Sequence, residues 1–181
     1  MAYTRRQILA GLAGVGLAGA GVSGVRYWLG RPSMVTSHDY ELIAAPLDVE
    51  LVAGRSTPAW AYGGQAPGVE LRARQGDRLR VRFINRLEVP TTIHWHGIRL
   101  PLAMDGVPYV SQLPVLPGEY FDYNFLVPDA GSFWYHPHTA SAEQLGRGLV
   151  GPLIVEEREP SGFAHERTLS LKSWHIDDEG G

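Results

Sequence analysis

An all-β sandwich or barrel is the fold this sequence predicts, on three observations. Apolar and polar residues alternate at period two through most of the chain, short turn signals separate the alternating runs, and glycine and proline number 22 and 13 among 181 residues. Period two places one row of side chains on a core and the other in water, and frequent Gly and Pro stop runs before they reach helical length. Long helices are not expected. The formal net charge of −3 carries no basic stripe, which excludes nucleic acid as a partner class. The absence of cysteine excludes disulfides and any thiolate-ligated metal.

The first 36 residues read as an address and a lead-in. Arg5-Arg6 precede Gln7-Ile8-Leu9, and positions 10–25 then run without a charge as small and apolar residues broken by glycines. Adjacent arginines before a mildly apolar, glycine-rich run make a twin-arginine-type export signal. Glycine dilutes the run below what a membrane span requires, so no stable span is expected once the signal is cleaved, with Ala18-Gly19-Ala20 as a cleavage site. The location expected is periplasmic or secreted.

Residues 37–159 form the predicted domain. Val69, Leu71 and Ala73 alternate with Glu70, Arg72 and Arg74; after the turn Gln75-Gly76-Asp77, Leu79, Val81 and Phe83 alternate with Arg78, Arg80 and Arg82. The arginine row is an ordinary solvated sheet face. Phe121, Tyr123, Phe125 and Val127 repeat the pattern after Leu116-Pro117-Gly118-Glu119, and 149–155 closes the set, interrupted by Gly151-Pro152. Residues 160–181 read as a linker, Glu159-Pro160-Ser161-Gly162, followed by the first strand of a truncated second domain at Thr168–Trp174.

Chemistry concentrates in two histidine pairs. His94-Trp95-His96-Gly97 and Trp134-Tyr135-His136-Pro137-His138 each place imidazoles at i and i+2, on one face of a strand, and hold four of the seven histidines. Ile93, Trp95, Phe133 and Tyr135 fall on the opposite face and can fill the core while the imidazoles point out of it. Two such strands side by side converge four nitrogen ligands, a set that suits copper, zinc, iron or nickel. His38, His165 and His175 are scattered and read as surface or strand histidines.

Four motifs in order narrow the metal. His94-Trp95-His96-Gly97, Met104-Asp105-Gly106-Val107-Pro108, Trp134-Tyr135-His136-Pro137-His138 and Gly148-Leu149-Val150-Gly151-Pro152-Leu153-Ile154-Val155 resemble the first cupredoxin domain of the multicopper oxidases, which include laccases, ascorbate oxidase and bacterial copper-resistance oxidases. The resemblance spans about 38–177. It implies a cupredoxin-like Greek-key β-sandwich or barrel, and half of the histidines around a trinuclear copper cluster where dioxygen is reduced to water while a small reductant is oxidised. It further implies that His94 ligates the type 2 copper, His96 and His136 one type 3 copper and His138 the other. Asp105 matches an acidic residue that helps deliver protons; taken alone, Asp105-Gly106 is equally a turn pair.

In that family the other ligands and the blue type 1 copper lie in a C-terminal domain. The chain as given is therefore expected to hold half a cluster and no electron-entry site, as the N-terminal piece of a longer oxidase or with partner cupredoxin domains on another chain. A stand-alone periplasmic copper-binding module is the alternative. A cupin dioxygenase also carries His-x-His on a barrel, but Arg99, Leu100 and Pro101 stand where its glutamate belongs. A copper-free structural sandwich would not keep all four histidines.

Overall fold

The computed structural model describes residues 35–159 and 162–176. The export signal read at Arg5-Arg6 and 10–25, the middle of the expected linker and residues 177–181 lie outside the described residues.

Among the described residues, eight strands make two four-stranded sheets. β1 (Ser37–Val52), β2 (Arg55–Tyr62), β4 (Arg78–Asn85) and β6 (Tyr120–Leu126) form one, in the order β2-β1-β4-β6; β3 (Leu71–Arg74), β5 (His94–His96), β7 (Gly131–His136) and β8 (Gly151–Glu156) form the other, in the order β3-β8-β7-β5. β1 pairs in parallel with β4 and antiparallel with β2, while β3 and β8 are parallel. Among the described residues helix is confined to one 3₁₀ turn, Leu102–Met104, and one short α-helix, α1 (Ser141–Gly146).

The rows that alternate in sequence alternate in burial. Leu71 and Ala73 of β3, Leu79, Val81 and Phe83 of β4, and Tyr123 and Phe125 of β6 are buried in one core. On the wet side, Arg80 and Arg82 pair with Asp39 and Asp122, and Arg78 donates to Asn124. Exposed ion pairs of this kind contribute little to stability, so the arginine face is a solvated surface.

Trp95 is the hub of the core. It is fully buried, with its ring centroid 5.3 Å from Tyr123, 5.1 Å from Phe125 and 5.9 Å from Tyr135. Two buried tyrosines then fasten the strands that flank the histidines: Ile93 N donates to Tyr123 Oη at 2.9 Å, and Tyr135 Oη donates to the Val69 carbonyl at 2.6 Å. Aromatic bulk supplies area and the hydroxyls supply direction.

Two sequence expectations change. Gly151 and Pro152 do not interrupt the last strand; they open β8, opposite Tyr135 and Trp134. A Cβ on Gly151 would fall 2.2 Å from the Tyr135 ring, so glycine is required there by packing. The second change is the strand expected at Thr168–Trp174, which is absent: the segment is assigned to no strand. Leu169 and Leu171 are 84% and 98% exposed, so the described residues bury none of this apolar row.

Side chains hold this segment instead. Arg72 reaches Glu70, Glu156 and Glu166, Thr168 hydrogen-bonds Glu70, and Lys172 Nζ donates to the Gly146 carbonyl at 3.0 Å while lying 3.8 Å over the Trp174 ring. Between it and the second sheet lies a cleft of about 1010 Å³, bounded by Phe133, Trp134, Pro152 and Ile154 on the sheet side.

Candidate metal centre

β5 and β7 build the site by register. In their antiparallel ladder His94 faces His136, Trp95 faces Tyr135 and His96 faces Trp134. Trp95 and Tyr135 point into the core, so period two turns His94, His96, Trp134 and His136 onto the opposite face together. Trp134 lies flat against both neighbouring imidazoles, at 4.5 Å and 29° from His96 and 4.2 Å and 25° from His136. That stacking restricts the rotation of both rings.

The structure brings three of the four predicted ligands into one group. His94, His96 and His136 each offer a ring nitrogen, and these nitrogens lie within 4.8 Å of one another. His138 stands beside the group: its ring is 5.2 Å from His94 and 6.3 Å from His136, and it lies beyond the end of β7. His136 is 6% exposed while His96 and His138 face solvent, so the site is open on one side. Of the remaining histidines, His38 pairs with Asp77 at 2.9 Å, and His165 and His175 are exposed; none joins the group.

Hydrogen bonds decide which nitrogen is free. His94 Nδ1–H donates to the Asp105 carbonyl at 2.8 Å and His136 Nδ1–H to the Pro137 carbonyl at 2.9 Å, since carbonyls only accept. Both rings therefore present an Nε2 lone pair. His96 differs, turning Nδ1 toward His136 Nε2 at 3.3 Å. Asp105 thus acts on His94 first through its backbone; its carboxylate Oδ1 is 3.4 Å from the same nitrogen and is 29% exposed. No sequence pattern reports a carbonyl contact of this kind, because any residue type could make it.

Burial pushes the His136 imidazole down to about 4, against the pull of the Pro137 carbonyl and reinforced by His94, His96 and His138. Its lone pair is therefore available throughout the neutral range, as a ligand requires. The same shift predicts a pH dependence for the metal-free chain. Between about 6.5 and 4 the unfolded state binds the proton and the folded state does not, so stability falls as pH is lowered across that window, by at most roughly 3 kcal/mol. Urea midpoints at pH 7 and 4.5 should show the drop in the wild type and a smaller one in His136→Ala.

Comparison with known proteins follows this geometry. The family profile described as multicopper oxidase matches residues 45–160. Copper resistance protein A of Pseudomonas syringae pv. tomato is 38% identical over 182 residues, covering 97% of this chain and 29% of that protein. The crystal structure of a multi-copper oxidase from Pseudomonas thermotolerans superposes with a TM-score of 0.79 at 78% identity, covering 81% of this chain and 36% of that one. A multi-copper oxidase from Pseudomonas parafulva gives 0.76 at 79% identity, covering 79% and 35%. The chain spans less than a third of the length of the first of these relatives.

Proposed function

This chain belongs to the multicopper oxidase family, and from that premise we propose that it is the N-terminal cupredoxin-like part of an exported oxidase. It contributes half of a copper cluster at which dioxygen is reduced to water while a small reductant is oxidised.

The observation that carries this reading is the 3.3 Å between His96 Nδ1 and His136 Nε2. Two imidazole nitrogens about 2.0 Å from one ion, at angles between square-planar and tetrahedral, stand roughly 2.8–3.4 Å apart. The pair fits a shared ion with no movement of either strand. On this reading His96 and His136 hold one type 3 copper, His138 the other, and His94 the type 2 copper. Copper there supplies the one-electron chemistry that reduction of dioxygen draws on.

The rest is work for this chain's own residues. The Asp105 carbonyl holds the proton of His94 on Nδ1 and keeps Nε2 free as a ligand, the outer contact that metal-bound histidines require. The Asp105 carboxylate, partly exposed beside that ring, carries protons from solvent to the site. Trp134 keeps His96 and His136 from rotating. The open side receives ligands from the remaining cupredoxin domains, in cis or on another chain. Export through the Arg5-Arg6 signal puts the protein in the periplasm or outside the cell; no helix among the described residues is long and apolar enough to cross a membrane.

Titrating the pure 181-residue chain with Cu(II) tests the reading. Copper binds with an imidazole-type electron paramagnetic resonance signal, no intense blue band develops because no thiolate is present, and oxygen is not consumed in turnover. A blue thiolate band or sustained oxygen uptake from this chain overturns it.

A further inference from the structure

The two histidine segments are joined by more than their ladder. β5 and β7 share only three residue pairs, and the ladder ends at His136, so no sheet partner holds His138. What holds it is a buried polar bracket. Gln144, on α1, is 1% exposed; its Nε2 donates to the Pro90 carbonyl at 3.0 Å and its Oε1 accepts from Thr91 Oγ1 at 2.6 Å. The proline carbonyl can only accept, which fixes the orientation of the amide, and the hydroxyl must then donate. Next to it, the buried Thr92 accepts at Oγ1 from the His138 backbone N–H at 3.2 Å.

The sequence positions of these groups matter. Pro90, Thr91 and Thr92 lead directly into His94, while Gln144 lies on the helix that follows His138. The short turn from Pro137 to Ala140 is therefore tied to the approach of β5 at both of its ends. Ala140 sits at φ 43°, in the left-handed region, and its carbonyl accepts the Gln144 N–H at 3.0 Å. A turn held in an unfavoured conformation needs such ties to keep it there.

We propose that Gln144 is a positioning residue: by bridging Pro90 and Thr91 it holds the segment carrying His138 against the segment carrying His94, and sets the spacing of these two histidines across the open site. A buried glutamine with satisfied hydrogen bonds is commonly only a core residue. Here its partners belong to one histidine segment and its helix to the other, and the histidine it serves is the one that the sheet does not hold. The consequence for metal binding rests on the copper reading; the positioning itself does not.

Gln144→Met keeps the unbranched shape, and Thr91 Oγ1 retains the Thr92 carbonyl, 3.4 Å away, as a second acceptor. In the metal-free chain, amide hydrogen exchange reads the positioning directly. Protection of the His138 N–H falls about tenfold in Gln144→Met, while amides of the β4–β6 ladder keep theirs. In Cu(II) competition titrations the same substitution weakens binding about tenfold, the scale on which outer contacts of metal ligands act. That loss disappears in a His138→Ala background, because Gln144 acts through His138. Thr91→Val reproduces both effects and serves if Gln144→Met does not fold. Unchanged His138 protection in either variant, or copper losses that simply add to that of His138→Ala, overturns the proposal. Failure of the copper reading is distinguishable: copper binding would then be indifferent to His96 and His136, with the exchange result standing by itself.

Discussion

Replacing His96 and His136 together by alanine lowers the Cu(II) affinity of the chain by more than about 100-fold and leaves the fold in place. The first half follows from the site's geometry. These two imidazoles offer nitrogens 3.3 Å apart, the separation that two ligands of one ion adopt, and even the outer contacts of metal ligands are worth 10- to 100-fold. The second half follows from burial on the opposite face. Trp95 and Tyr135, neighbours of these histidines along the strands, carry the packing and are fully buried. The backbone ladder of β5 and β7 does not depend on the imidazoles. Chelator competition and a thermal melt measure both halves. Unchanged affinity places the metal elsewhere; a collapsed fold shows that the imidazoles are structural.

The second large effect is expected at Gly106, where alanine should destabilise the chain by about 3 kcal/mol or more. Gly106 has φ 73°, and a Cβ there would lie 1.7 Å from the Ile93 carbonyl oxygen, 2.4 Å from its carbon and 2.9 Å from His94 N. All three are backbone atoms of β5 and its approach, so no rotamer change relieves the clash. The loop must lift away from the strand, and the Asp105 carbonyl, one residue earlier, leaves His94 Nδ1 with it. Copper affinity should fall along with stability. Gly118 is the control: its φ of 81° is similar but nothing lies within 4 Å of an added Cβ, so Gly118→Ala costs only the backbone strain, about 1 kcal/mol. Equal urea midpoints for the two variants refute the close-approach argument.

Period-two alternation makes much of this chain legible. Leu79, Val81 and Phe83 against Arg78, Arg80 and Arg82 predict a half-buried strand, and β4 is one. The long β1 and its partner β2 were not individually readable: their residues include Pro46 and Pro58, and Pro58 is tolerated because β2 is an edge strand. At Thr168–Trp174 the alternation is present, but within the described residues the segment lies in no strand and Leu169 and Leu171 are exposed. Alternation proposes a strand, and only a partner edge and a core face complete it.

For the candidate site, the sequence by itself determined which donor groups are offered and, within the strands, the face they occupy. Within a strand side-chain direction is a local property, so Trp95 between His94 and His96, and Tyr135 before His136, point into the core while those three imidazoles point the other way. The absence of cysteine likewise determined that this chain offers no thiolate. Tertiary structure alone decided that His94 pairs with His136, that His96 turns Nδ1 inward while His94 and His136 present Nε2, and that His138 stands off the ladder beside the Gln144 bracket. Each of these depends on a contact between segments far apart in the chain, with carbonyls of Asp105, Pro137 and Pro90 as partners. A carbonyl belongs to every residue, so only the folded backbone says which one is there.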